Sequence, residues 1–232
     1  MKKTWCLAKL DALFLARMEA ILALYAEPYD PENPVLCFDE RPCYLIGETI
    51  APLPMMTAKV AKEHYAYEKN GSCALLAAIE PLTGRRLALV RRQRTKKEYG
   101  EFCQALVLAW PQAKKIRLVQ DNLNTHNASA FYENLPAEEA FALAQKFEFH
   151  YTPKSASWLN MIEIEFSALA RECLHRRIPT QEMLEREVLT LIKERAEKQI
   201  KINWQFSLTT ARKKLNSHYS RVNAENSKYK ET

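Results

Sequence analysis

Glycine is scarce in this sequence: only Gly47, Gly71, Gly84 and Gly100 occur in 232 residues, and no two are close. Phosphate cradles of the Walker or Rossmann kind need several glycines in one turn, so both are excluded. Of the six cysteines (Cys6, Cys37, Cys43, Cys73, Cys103, Cys173), no two form a C-x-x-C pair, and zinc-ribbon spacing is absent. Cys37 and Cys73 lie in apolar runs, where a cysteine acts as a small buried hydrophobe, and a reducing compartment suits the set. Long apolar runs are missing as well. The opening MKKTWCLAKLDALFLAR sets two lysines ahead of leucines, but Lys9, Asp11 and Arg17 interrupt it before a signal-peptide core or a membrane span can form. The expectation is a cytoplasmic chain with no membrane partner. Charge is nearly balanced, at +6, which permits an anionic partner such as nucleic acid without requiring one. The remaining composition, 47% hydrophobic and 27% charged, is that of an ordinary globular domain.

Leu7, Leu10, Phe14, Met18, Ile21, Leu22 and Tyr25 recur at steps of three and four, which predicts an amphipathic helix. It ends before Pro28, and residues 27–34, with three prolines, read as a linker. A short buried strand over residues 35–38 runs into Asp39, and Pro42, Pro52 and Pro54 predict an irregular excursion after it. Asn70-Gly71 predicts a hairpin turn between strands at 64–69 and 73–79. Residues 81–84 make a second turn into a strand at 86–91. Helical spacing spans 99–109. A strand at 116–119 then runs into Asp121, followed by a helix at 128–145 broken near Pro136. A last strand covers 147–150, with helices at 158–174 and 181–199, and the polar end from about Ser217 reads as disordered. The order predicts an α/β fold: a mixed sheet of a three-strand meander plus two further strands, flanked by helices.

Open α/β sheets place their sites beyond strand ends, and Asp39 and Asp121 both follow short apolar strands. Each has a plainer reading. Asp39 fits a solvated strand end. Asp121 precedes Asn122-Leu123-Asn124-Thr125-His126, a polar turn suited to capping the next helix through Asn124 or Thr125. A third acid comes from the helix after Trp158, whose apolar stripe is Ile162, Phe166, Leu169 and Cys173. Glu163 and Glu165 flank that stripe about 200° apart, so at most one faces a shared site, and spacing leaves the choice open. Gathered carboxylates repel one another, and divalent cations with a taste for hard oxygen relieve the repulsion. Two such ions can activate a water or a 3′-hydroxyl and stabilise the leaving oxygen in phosphodiester chemistry.

Three segments carry a resemblance. Val35-Leu36-Cys37-Phe38-Asp39-Glu40, Asp121-Asn122-Leu123-Asn124-Thr125-His126 and Tyr151-Thr152-Pro153-Lys154-Ser155-Ala156-Ser157-Trp158-Leu159-Asn160-Met161-Ile162-Glu163 resemble bacterial insertion-sequence transposases of the mariner-related branch. The likeness runs from about Trp5 to Leu215 and is most specific over residues 152–166. It implies a ribonuclease-H-like fold with a DDE triad. By position, Asp39 and Asp121 are then the catalytic aspartates and Glu163, rather than Glu165, the final glutamate, together holding two Mg²⁺ or Mn²⁺ ions. Asn122, His126 and Asn160 become candidates for steadying those ligands. His126 either contacts the scissile phosphate or a metal-bound water, or merely packs or hydrogen-bonds at the helix start. Trp158 is either a base-stacking platform or core.

Arg91, Arg92, Arg94, Lys96, Lys97 and Lys154 are the candidates for DNA contact, with Lys213, Lys214, Arg221, Lys228 and Lys230 adding charge near the end. The implied partners are transposon-end and target DNA, with insertion at TA, and a second copy or a full-length transposase. The expected organisation is a linker helix at 1–30, a DDE catalytic domain at 31–216 and a basic disordered tail at 217–232. Relatives carry an N-terminal helix-turn-helix, and Lys2-Lys3-Thr4-Trp5-Cys6 resembles the segment following it. The expectation is thus a catalytic domain lacking that module, as a truncated copy or one product of a split frame. Two other functions fit the same residues: a ribonuclease-H-like nuclease acting on another nucleic acid, and an inactive DNA-associated remnant that modulates full-length transposase.

Overall fold

The computed structural model describes residues 10–53, 55–57, 60, 62 and 64–229. Five strands form one sheet: β1 (Val35–Glu48), β2 (Tyr67–Glu80), β3 (Arg85–Arg91), β4 (Ile116–Gln120) and β5 (Phe147–Tyr151), in the order β3-β2-β1-β4-β5. β1, β2 and β3 are an antiparallel meander, and β4 and β5 add in parallel beside β1. This is the predicted mixed sheet. The apolar run Ala74–Ile79 in β2 is buried on both faces because helices cover both. α2 (Lys96–Ala109), α3 (Ser129–Asn134) and α4 (Ala137–Ala144) cover the face of Leu36, Phe38 and Leu118. On the other face, α5 (Ile162–Glu172) and α6 (Gln181–Glu197) cover Cys37, Ile79 and Val119. α2 starts in a capping box, where Thr95 and Glu98 satisfy each other's free amides.

β1 continues well past Asp39, where a short strand was expected. Arg117 N–H donates to Pro34 O, so even-numbered residues of β1 aim their backbone at β4. β4 ends before it reaches the level of Pro42, so the N–H that proline lacks would have faced an unpaired edge. Asn70-Gly71 makes no hairpin turn either. β2 runs straight through it, and the pairing slips between Tyr44 and Ile46, opposite Gly71 with its φ of 95°. A glycine at positive φ inside a pair is a bulge, which serves the same dipeptide as well as a turn does.

α1 (Ala12–Tyr25) starts at Asp11, whose Oδ1 accepts from Phe14 N–H at 2.7 Å. Leu7, Cys6 and the segment Lys2-Lys3-Thr4-Trp5-Cys6 lie outside the described residues. α1, within the expected linker helix, packs against the rest of the fold. Leu15, Met18 and Leu22 share a core with Leu159, with Ala211 of α7 (Leu208–Lys214) and with Tyr219 of α8 (Asn216–Val222). The tail expected to be disordered from Ser217 is α8 and a 3₁₀ turn over Ala224–Tyr229. Glu19 explains it: its carboxylate accepts two bonds from Arg212, at 2.7 and 2.8 Å, and one from Tyr219 Oη at 2.6 Å. Lys230 lies outside the described residues. Among the described residues no helix is long and apolar enough to cross a membrane.

Gly84 holds the β2–β3 turn against the segment after α6. Its φ is 79°, and a Cβ there would stand 2.6 Å from Ile200 O. Gly84→Ala is expected to cost about 1–3 kcal/mol, read as a lowered thermal midpoint. An unchanged midpoint would mean this contact is loose.

Candidate active site

Strand register brings the two aspartates together. Cys37 pairs with Val119 across the parallel β1–β4 ladder, and Asp39 and Asp121 each follow two residues later. With a side-chain period of two, both fall on the face of Cys37 and Val119, which α5 covers. α5 begins later than expected. Ser157–Leu159 form a 3₁₀ turn, and Asn160 is extended and buried, its Nδ2 donating to Phe38 O at 2.7 Å. That bond satisfies a β1 carbonyl beyond the ladder and pins the start of α5 over the strand. Glu163 consequently sits in the first helical turn, where the helix dipole favours a carboxylate.

Asp121 and Glu163 both lie near enough to Asp39 for their charges to bear on its carboxyl. Burial raises Asp39 to about 7, the Glu40 N–H opposes the rise, and the charges of Asp121 and Glu163 add to it. Among the described residues no three His, Cys, Asp or Glu side chains yet close into a cage. Asp39 and Asp121, but not Glu163, border a cleft of about 920 Å³, lined also by Asn122, Lys154 and, from α1, Phe14 and Arg17.

Glu165 faces the other way. Only 1% exposed, it accepts from Arg86 Nη2 at 3.1 Å and from Arg195 Nε at 2.9 Å. Both of its oxygens are engaged, which leaves Glu163 as the α5 carboxylate near Asp39. His126 is fully buried, so it reaches no scissile phosphate. Its Nδ1 is hydrogen-bonded to Asp121 Oδ1, and its Nε2 lies 3.3 Å from Glu40 Oε1. Burial disfavours the charged ring, but these two carboxylates outweigh burial and lift His126 to about 9. Asn122 is exposed at the cleft wall. Trp158 is partly exposed and packs edge-on against Phe206.

Of the expected DNA-contacting residues, Lys154 lines the cleft. The basic run does not: Arg91 pairs with Glu101, Lys96 with Glu133, and Arg92, Arg94 and Lys97 are exposed past the end of β3. Sequence reasoning passed over Glu40 and Arg17. Glu40 had a signal, since it alternates with Leu36 and Phe38 on an apolar face and there needs a partner. Arg17 had none beyond lying on the polar side of its helix.

Asp39 and His126 both hold a proton more firmly when folded, Asp39 at about 7 against 3.8 and His126 at about 9 against 6.5. Where the folded state binds more protons, stability falls as pH rises. The metal-free chain should therefore lose stability steadily from about pH 4 to pH 9. Asp39→Asn should flatten the part below pH 7, as read by melting curves at each pH. A rise in stability over that range would contradict the placement of both groups.

A five-stranded sheet in the order β3-β2-β1-β4-β5, antiparallel over β1 to β3 and parallel beyond, with helices on both faces, defines a ribonuclease-H-like domain. Residues 34–185 match the family described as DDE superfamily endonuclease, and the chain belongs to that family. The fold is similar to that of Mos1 transposase in its paired-end complex with the left transposon end, with a TM-score of 0.57 at 12% identity, covering 100% of this chain and 67% of that one. It is also similar to the Mos1 strand transfer complex, with a TM-score of 0.52 at 12% identity, covering 85% of this chain and 63% of that one. No curated protein matches the sequence. The expected mariner-related fold and DDE family are both borne out.

Proposed function

We propose that this chain cleaves DNA strands and joins a freed 3′-hydroxyl to target DNA, with Asp39, Asp121 and Glu163 holding Mg²⁺ or Mn²⁺ as two ions. The observation that carries the reading is the strand register that sets Asp39 and Asp121 level on one face of the sheet, beside a carboxyl that burial raises to about 7 and that the charges of Asp121 and Glu163 raise further. The hard oxygens of these carboxylates suit such cations, and a cation relieves their mutual repulsion. When bound, the ions make an attacking water or 3′-hydroxyl more acidic and offset charge on the leaving oxygen. The chain's own residues prepare the site. Glu40 N–H fixes Asp39 at 2.7 Å, His126 fixes Asp121, and Asn160 anchors the turn before Glu163.

Arg17 and Lys154 border the cleft, and neither has an ion-pair partner among the described residues. Both suit backbone phosphates, while Arg92, Arg94 and Lys97 suit DNA lying beyond the cleft. The substrates would be transposon ends and target DNA in the cytoplasm, with a second copy or a full-length transposase as partner. Residues 31–216 would be the catalytic domain, flanked by 1–30 and 217–232, with Glu19 bonded to both Arg212 and Tyr219.

The test is nicking of supercoiled duplex DNA by the full chain. Nicks ending in a 3′-hydroxyl are expected with Mg²⁺ or Mn²⁺ and none with EDTA. Nicking indifferent to EDTA, or absent with both metals, contradicts the proposal.

A further inference from the structure

Glu40 reaches both aspartates, through different atoms. Its backbone N–H donates to Asp39 Oδ1 at 2.7 Å. Its carboxylate, with 2% of the side chain exposed, stands 3.3 Å from His126 Nε2, and His126 Nδ1 bonds Asp121 Oδ1. The ring therefore has a carboxylate on either side, hydrogen-bonded at Nδ1 and 3.3 Å away at Nε2. That ring cannot swing away. Tyr99 stacks on it at 5.1 Å and Phe38 meets it edge-on at 5.3 Å. Its backbone carbonyl accepts from Gln120 Nε2 at 2.8 Å and from Tyr151 Oη at 3.1 Å.

The division of the aspartate oxygens is the informative part. Oδ1 of Asp39 and Oδ1 of Asp121 are both bound by this assembly, and among the described residues no hydrogen bond reaches either Oδ2. A buried ionic set costs desolvation that apolar packing would avoid, so the arrangement is an expensive way merely to fill space. Ligand-orienting partners of this kind govern metal affinity rather than fold.

We infer that Glu40 is the positioning residue of the metal site. Its amide fixes Asp39, its carboxylate fixes Asp121 through His126, and one oxygen of each aspartate is left for the cation. The inference rests on the reading of Asp39 and Asp121 as metal ligands. Strand alternation makes it feasible: Asp39 faces α5, and Glu40, one residue on, faces the side of α2 and α3 where His126 lies.

The test is Mn²⁺ binding to the full chain without DNA, followed by electron paramagnetic resonance, beside the metal-free melting temperature. Glu40→Gln keeps the amide and the side-chain shape but removes the charge. It is expected to weaken Mn²⁺ binding about 10- to 100-fold while the metal-free protein stays folded. His126→Asn should lose a similar factor, and the double variant no more than His126→Asn alone, because the two act in series. Unchanged Mn²⁺ affinity in Glu40→Gln overturns the inference, as do losses that multiply in the double variant. Glu40→Gln decides the matter by itself should His126→Asn fail to fold. Wild-type Mn²⁺ binding in Asp121→Asn would overturn the metal assignment beneath it, a result distinct from the others.

Discussion

Glu165→Gln is expected to lower the stability of the folded chain by about 3–5 kcal/mol, the cost of leaving buried charge without its partner. Arg86, whose side chain is almost fully buried, and Arg195 both direct guanidinium groups at this one carboxylate. Glu165 ties α5 to β3 and to α6, and Arg86 adds a bond to Ile200 O at 2.7 Å. Removing the charge strands buried Arg86 and leaves Arg195 with Glu172 alone. Arg86→Met should cost less, because Arg195 still balances Glu165. Urea unfolding of the two variants checks the order. A Glu165→Gln variant within about 0.5 kcal/mol of the parent would show the cluster to be slack.

The second large effect is chemical and runs the other way. Asp121→Asn and Glu163→Gln should each reduce DNA cleavage about 10³-fold or more, since several kcal/mol of charge stabilisation depends on the metal they hold. Glu163→Gln should not destabilise the metal-free protein, since it removes a charge that raises Asp39, whereas Asp121→Asn also takes a charged partner from buried His126 and should lower the melting temperature. Glu165→Gln, assayed well below its own melting temperature, should keep most of its cleavage. The two glutamates, two residues apart, are thus distinguished by opposite signatures, one in activity and one in stability. Cleavage surviving Glu163→Gln would remove Glu163 from the site.

Much of this arrangement is legible in the sequence because it follows local periodicity. The meander, the later parallel strands and the acids after the apolar runs of β1 and β4 all follow from short apolar runs and their breaks. The misreadings come from contacts that periodicity does not encode. Pro42 looked like the end of β1, but it faces a sheet edge where no N–H is needed. Asn70-Gly71 looked like a turn, but a bulge uses the same positive φ. Glu163 and Glu165 are equivalent on a helical wheel, and what separates them is a pair of arginines 79 and 30 residues from Glu165. The polar end folds because one acid, Glu19, reaches it from the opposite end of the chain.

The central claim is that Asp39, Asp121 and Glu163 share divalent metal. Crystals of the chain soaked in Mn²⁺ and measured for anomalous scattering test it most directly. The account predicts anomalous peaks between Asp39 and Asp121 and against Glu163, lost in Asp121→Asn crystals. Peaks elsewhere, or none at these three carboxylates at millimolar Mn²⁺, would contradict it.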